Sequence, residues 1–293
     1  MSQQHSGQAG REVARTAGEG VLRVLFGVFL AAVAVGLTML PSSAPFAVVT
    51  VLMILLAARE WHRMVRSPAQ RELADQQPIH VQTIITGASV ALAVIALILR
   101  IVPAAFLLLA AGAVASYFWA SRRDDNPLWH AGGVLYLGLP ALALVGLREF
   151  PASGTWYVLG LFLIVWATDT AALVFGKLIG GAKLAPRLSP GKTWAGTLGG
   201  SISAAMVFGL YIALFGFNAL AAMLFAFVFS FVAHGGDLFE SLVKRRFGFK
   251  DSGGLIPGHG GVLDRVDSLF AASVVLAVLV FGLHFNPMFG GRV

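Results

Sequence analysis

Polar and apolar residues along this chain are sorted into long blocks instead of the short repeats of a water-soluble core. Apolar blocks occupy residues 21–40, 44–58, 82–99, 103–120, 131–147, 155–178, 197–215, 219–233 and 262–283. Most approach the roughly 20 residues that carry a helix across the hydrocarbon of a bilayer. Residues 82–120 together exceed one crossing, so the 100–102 corner is expected to split them into a tight helical hairpin. The pattern predicts an all-α, polytopic integral membrane protein of about nine transmembrane helices. Residues 1–20 read as a polar cytoplasmic tail, 21–150 as an N-terminal set of helices and 151–293 as a C-terminal set that carries the chemistry. The first block is longer than a signal-peptide core and lacks a small-x-small cleavage site, so it is expected to be retained.

The placement of charge orients these helices. With the N-terminus in the cytoplasm, nine crossings put every one of the 21 Lys and Arg residues except Arg100, Arg148 and Arg292 on the inner side, as the positive-inside bias requires. Trp61, Trp119, Trp129, Trp156 and Trp194 fall near predicted span ends and are expected to be interfacial anchors. The expected location is the inner (cytoplasmic) membrane, with the most charged segments facing the cytoplasm.

Composition agrees, at 57% hydrophobic residues and a mean hydropathy of +0.81. The absence of cysteine removes disulfides and thiolate metal sites. A net charge of +7 would suit a nucleic-acid binder only if the positions of the charges were ignored. No nucleic-acid partner is expected.

One polar stretch stands apart. Residues 237–267, DLFESLVKRRFGFKDSGGLIPGHGGVLDRVD, hold ten charged side chains, five acidic and five basic, in a chain that is 12% charged. If 237–245 is helical, Asp237, Glu240, Ser241, Lys244 and Arg245 share one face, opposite Leu238, Phe239, Leu242 and Val243. Asp264, Asp267 and Ser268 repeat that arrangement where the last apolar block begins. The connection between them, 246–261, holds six glycines along with Lys250, Asp251 and His259. Glycine leaves backbone N–H groups free to approach oxyanions. Carboxylates on two facing helix ends, flanked by Lys and Arg, are what a divalent cation holding a polyphosphate requires. The alternative is a solvated loop whose charges pair with one another.

Three further features bear on chemistry. Asp169 lies inside the sixth block, ~21 Å from its outer end at 1.5 Å per residue, and an ionisable group there faces a cavity or a partner. The segment 184–196, LAPRLSPGKTWAG, sets Arg187 and Lys192 beside Ser189 and Thr193. It superficially resembles a Walker A loop, but Pro186 stands where glycine is needed and no strand is expected before it. Its basic charge suits a nucleotide or lipid phosphate, or else serves topology alone. His259, flanked by glycine, suits hydrogen-bond donation to a phosphate or acid–base work. His234 is expected to be a helix C-terminal partner, and His5, His62, His80, His130 and His284 incidental.

The run Ser241-Leu-Val-Lys-Arg245, then Lys250-Asp251, then Pro257-Gly-His-Gly-Gly-Val-Leu-Asp-Arg-Val-Asp267 resembles the signature of the phosphatidate cytidylyltransferases, or CDP-diacylglycerol synthases. Asp169-Thr170, Ser189-Pro-x-Lys192-Thr-Trp194 and Gly236-Asp-Leu-Phe-Glu-Ser241 also resemble that family, so the likeness covers about residues 155–275. Two departures stand out: Ala195 where the family usually has Glu, and Ala233-His234-Gly235 before the Gly-Asp-Leu-Phe-Glu-Ser segment.

The resemblance implies CTP and phosphatidic acid as substrates, CDP-diacylglycerol and pyrophosphate as products, Mg2+ as cofactor with room for a second metal ion, and a homodimer as an allowed assembly. It further implies Asp237 and Asp264 as metal ligands, with Asp267, Asp251 and Glu240 as additional or supporting groups. Lys244, Arg245, Lys250 and Arg265 would hold phosphates, and Lys192 and Ser189, with Thr193, would contact nucleotide or lipid phosphate. Ala195 leaves open a cytidylyltransferase for another lipid phosphate. A transporter of an anionic solute, with Asp169 as proton relay, is the reading from a different class; it predicts polar residues scattered through several spans. A CDP-alcohol phosphotransferase would carry a DGxxAR motif, which the sequence lacks.

Overall fold

The computed structural model describes residues 27–74, 80–150, 153–254, 260–286 and 291–292. Ten helices account for nearly all of it. The first, α1, is Gly27–Met39. It is followed by α2 (Ala44–Met64), α3 (Pro68–Ala74), α4 (Val81–Ile98), α5 (Val102–Ser121), α6 (Pro127–Arg148) and α7 (Gly154–Leu178). After α7 come two short strands, β1 (Lys183–Ala185) and β2 (Ser189–Thr193), then α8 (Trp194–Ala213), α9 (Ala219–Arg246) and α10 (Asp267–Ala277). A single 3-10 turn, Leu263–Arg265, precedes α10, and a π turn, Val278–Gly282, extends it.

Seven helices, α2 and α4 to α9, are long and apolar enough to cross a membrane, while α1 and the α10 region are shorter apolar helices. Their outer surfaces expose Leu107, Leu210, Leu214 and Val228, each more than 60% accessible. Apolar side chains pointing outward suit a lipid solvent, where the helix has no water to avoid. The chain is an integral membrane protein.

Two apolar clusters fill the bundle. One joins α2, α4, α5 and α6 around Ile54, Val90, Leu109 and Leu137, and reaches Val243, Leu263 and Phe270. The other joins α7, α8, α9 and α10 around Leu161, Phe208, Phe229 and Leu276. Glycine brings the second set close. A Cβ on Gly196 would lie 2.7 Å from the Ala172 carbonyl oxygen, and one on Gly200 would lie 2.6 Å from that of Thr168. This Gly-x-x-x-Gly pair lets α7 and α8 pack backbone to backbone. Gly236 does the same for α9 and α10, since its Cβ would sit 2.7 Å from the Asp267 carbonyl oxygen.

Several elements differ from the hydropathy reading. The eighth block ends at residue 233, yet α9 continues unbroken to Arg246. Its last three turns bury Glu240, Ser241 and Lys244 and expose Phe239 and Leu242, so its polar face points into the protein. The ninth block starts a helix at Asp267, not 262, because the 3-10 turn takes the residues before it. The basic segment before α8 is a β-hairpin, with Lys183 paired to Thr193 and Ala185 to Ser189, so the chain is not wholly α. Trp61 is no interfacial anchor. It is 2% exposed, donates to the Trp129 carbonyl at 3.0 Å and packs on Tyr136.

His62 and His130 are not incidental either. Both are fully buried, with Nδ1 atoms 2.9 Å apart. Thr86 Oγ1 lies 2.7 Å from His62 Nε2, and Asp125 Oδ2 lies 3.0 Å from His130 Nε2. One tautomer set satisfies the whole chain: Thr86 donates to His62, His62 to His130, and His130 to Asp125. This polar thread ties α2, α4 and α6 together. His234 lies within α9, beside the Thr197 carbonyl at 3.3 Å, and is not at a helix end.

Candidate functional site

At one end of the bundle lies a cleft of about 810 Å³, bordered by α7, the β-hairpin, α8, α9 and the start of α10. It is the end to which α2 delivers its C-terminus and from which α10 departs, as the contacts of Glu60 with Val262 and Leu263 require. Five carboxylates line it, from Asp169, Asp237, Asp251, Asp264 and Asp267. Lys177, Lys192, Lys244 and Arg265 stand among them. Polar residues that are far apart in sequence thus gather at one site, and the deep end of α7 contributes Asp169 and Thr170.

Each charged group has a defined setting. Thr193 caps α8, its Oγ1 accepting the Gly196 amide at 3.1 Å. That cap fixes the hairpin, whose Lys192 Nζ lies 2.5 Å from Asp237 Oδ2. Ser241, one turn along α9, donates weakly to the other Asp237 oxygen at 3.4 Å. Lys244 is buried between two carboxyl groups, with Nζ 2.5 Å from Asp264 Oδ1 and 3.0 Å from Glu240 Oε1. Asp264 Oδ2 accepts the Ser252 amide, the Ser252 hydroxyl and the Gly261 amide, each at 2.9 Å. Burial pushes the Asp264 carboxyl up, but the Lys244 ammonium and the two amides outweigh it and hold the group below the usual carboxylate range. Asp267 begins α10 and accepts the Ser268 amide at 2.7 Å, while the Ser268 hydroxyl reaches Asp169 at 3.4 Å.

Other residues singled out by the sequence sit at the margin. Ser189 lines the cleft on β2. Arg245 is exposed and donates to the carbonyls of Leu188 and Phe249, bracing the hairpin turn. Lys250 is exposed on the loop after α9 and does not line the cleft. Glu240 does not line it either; it lies fully buried beneath Lys244. His259 lies outside the described residues. Ala195, at the departure from the family pattern, is half-buried in the first turn of α8.

The donor set suits a hard divalent cation in chemistry. Asp169 and Asp267 each feel the negative charge of Asp237, and Glu240 Oε2 is buried with no hydrogen-bond partner among the described residues. Among those residues no three acidic or histidine side chains are gathered closely enough to form a ready cation site. Asp237 and Asp264 are instead held by Lys192 and Lys244.

Sequence reasoning missed Glu60. This α2 carboxylate is 3% exposed and accepts the Val262 amide at 3.0 Å, the Leu263 amide at 2.8 Å and the Ser252 hydroxyl at 3.2 Å. Its position in REWHRM, just past an apolar block, reads as ordinary interfacial polarity; an acid among arginines was the available signal.

A helical membrane protein with an acidic and basic cleft at one end of its bundle is equipped to handle phosphates beside lipid. The family model described as the cytidylyltransferase family matches residues 21–283, and the chain belongs to that family. Among curated relatives, a phosphatidate cytidylyltransferase of Brucella suis is 47% identical over 173 residues, covering 57% of this chain and 60% of the relative. One of Rickettsia bellii is 37% identical over 166 residues, 54% of this chain and 71% of the relative. One of Staphylococcus haemolyticus is 41% identical over 149 residues, 50% and 56% respectively. The chain thus spans less than two thirds of the length of the Brucella relative.

Proposed function

We propose that this protein transfers the cytidylyl group of CTP to phosphatidic acid, giving CDP-diacylglycerol and pyrophosphate. The observation that carries this reading is the convergence of Asp169, Lys192, Asp237, Lys244, Asp264 and Asp267 on one cleft, in a chain of the cytidylyltransferase family. A phosphate oxygen of the lipid attacks the α-phosphorus of CTP, the bond from that phosphorus to the α–β bridging oxygen breaks, and pyrophosphate leaves with the electron pair. A phosphomonoester is largely dianionic near neutral pH, its second pKa being about 6, so the nucleophile needs no strong base. The barrier lies in bringing two anions together and stabilising the leaving group.

Lys192 and Lys244 would do that work, and they line the cleft together with Ser189 and Arg265. Asp237, Asp264 and Asp267 would hold Mg2+, with Glu240 supporting Lys244. When bound, the cation would neutralise phosphate charge and orient the triphosphate. Substrate phosphates would compete for the lysines now paired to Asp237 and Asp264. Leu173, 59% exposed on α7 and lining the cleft above Lys177, marks a side open to lipid, which fits entry of phosphatidic acid from the adjacent leaflet.

The membrane topology belongs to the same proposal: nine crossings, with the two shorter apolar helices completing the seven long ones, the N-terminus in the cytoplasm and the cleft on the cytoplasmic side of the inner membrane, where CTP is available. The distribution of Lys and Arg supports it. Two copies paired about an axis along the membrane normal would keep both clefts on that side. The clustering of polar groups at one end favours this reading over a transporter, which needs a polar path through the bundle.

The test incubates purified protein with CTP, Mg2+ and either phosphatidic acid, an ether-linked analogue or a polyprenyl phosphate. CDP-diacylglycerol formed preferentially from phosphatidic acid is the expected result. Preference for another lipid phosphate would overturn the substrate, and no CDP-lipid from any of the three would overturn the activity.

A further inference from the structure

Glu60 stands 202 residues before Val262, in a helix remote from every motif that the sequence singles out, yet it closes on the loop that aims Asp264. Its two oxygens take the amides of Val262 and Leu263, the residues just ahead of Asp264. Ser252 links the two acids directly: its hydroxyl lies 3.2 Å from Glu60 Oε2 and 2.9 Å from Asp264 Oδ2. One hydroxyl hydrogen serves both carboxylates, so moving either redirects it.

The glycines on either side fit Glu60 sterically. A Cβ on Gly253 would lie 2.6 Å from Glu60 Oε1, and one on Gly261 would lie 2.5 Å from Glu60 Oε2. Among the described residues no Lys or Arg pairs with Glu60, so its charge is met by backbone amides and the Ser252 hydroxyl. A buried carboxylate held this way is costly to disturb. It is also rigid, because both of its oxygens are engaged.

We infer that Glu60 is a positioning residue for the transfer reaction: it clasps Ser252, Val262 and Leu263 so that Asp264 is presented to the cleft and to Lys244 at a fixed angle. The N-terminal helices thereby contribute to catalysis without lining the cleft. The inference rests on the proposed activity in assigning Asp264 a part in the reaction.

The test compares the unsubstituted full-length protein with Glu60→Gln, Glu60→Asp and Gly253→Ala, and with Ile54→Ala as a control in the same helix. Ile54 is fully buried in the apolar cluster, six residues before Glu60, and offers the loop no hydrogen-bond acceptor. Two readouts are taken: the Mg2+ and CTP dependence of turnover, and hydrogen exchange of the Val262 and Leu263 amides without substrate. Glu60→Gln keeps the shape but replaces one acceptor by a donor. It should lower kcat/KM by about 10- to 100-fold and raise the Mg2+ concentration needed for half-maximal rate, as loss of a supporting hydrogen bond does. Exchange of the two amides should accelerate by about 10-fold.

Gly253→Ala, which pushes on the carboxylate from the other side, should move the same two readouts. Should Glu60→Gln fail to fold, Glu60→Asp and Gly253→Ala carry the comparison. The inference is overturned if these variants show the Mg2+ dependence and amide exchange of the unsubstituted protein, or if Ile54→Ala shifts them equally at the same loss of thermal stability. Inactivity of the unsubstituted protein would instead sink the proposed activity, while the exchange measurement would still decide whether Glu60 holds the loop.

Discussion

Lys192 Nζ lies 2.5 Å from Asp237 Oδ2, joining the second strand of the β-hairpin, close to where it enters α8, to the C-terminal half of α9. The hairpin is held by the Thr193 cap on one side and Arg245 on the other, so the lysine approaches the cleft from a fixed base. It is part-buried and opposite an acid, and under the proposed function it would exchange that carboxylate for a phosphate.

Replacing that ammonium removes a phosphate partner and leaves Asp237 unopposed. Lys192→Met is expected to reduce kcat by about 10²- to 10³-fold, the size seen when one transition-state donor is lost. Steady-state turnover of CTP checks it, with Arg187→Gln, at the turn of the same hairpin, expected to stay within a few-fold of the unsubstituted rate.

Asp264→Asn should lower kcat by at least ~10²-fold and also destabilise the protein by about 1–3 kcal/mol, since Lys244 keeps Glu240 but loses its nearer partner. Turnover and thermal unfolding in detergent measure the two effects. Near-normal turnover would remove Asp264 from the reaction.

Because the Asp264 carboxyl is held below its ordinary value, its ionised form contributes stability that is complete above the unfolded value of about 3.9 and is lost as pH falls through the lower folded value. The stability difference between the unsubstituted protein and Asp264→Asn should therefore be flat from pH 8 to about pH 5 and shrink below about pH 4. Denaturant unfolding over that range checks the direction.

Gly236 permits the approach of α9 to α10 that sets Asp237 near Asp267. Gly236→Ala gains up to about 1 kcal/mol of helix propensity, but its methyl meets the Asp267 carbonyl and Ala271. Such overpacking costs about 1–3 kcal/mol. Lower activity than for Gly235→Ala, whose added Cβ meets open space, is the expected contrast in a side-by-side assay.

His62→Phe should break the thread from Thr86 to Asp125 and destabilise the fold by about 1–3 kcal/mol. It should leave kcat of the folded fraction unchanged, because the thread does not reach the cleft. Thermal unfolding and active-fraction-corrected turnover separate the two.

The long apolar blocks were legible because lipid selects for length and hydropathy, and the helices follow those blocks closely in α4 to α8. Hydropathy lost the end of α9, where Glu240 and Lys244 face inward and pair with each other while Phe239 and Leu242 face out. The hairpin escaped because strands of three and five residues carry almost no periodic signal. The cleft's acids were legible as a charged cluster beside glycines, and Asp169 as an isolated charge in an apolar helix. Glu60 and the paired His62 and His130 were not, since their partners lie many residues away and no local spacing encodes such contacts.

The most direct measurement follows the two ends of CTP separately, using [α-32P]CTP and [γ-32P]CTP with phosphatidic acid and Mg2+. The account predicts that α label enters the lipid fraction as CDP-diacylglycerol, in step with γ label released as pyrophosphate, and that both fail in Asp264→Asn. Label from the γ position in lipid, or CTP left intact by folded protein, would contradict it.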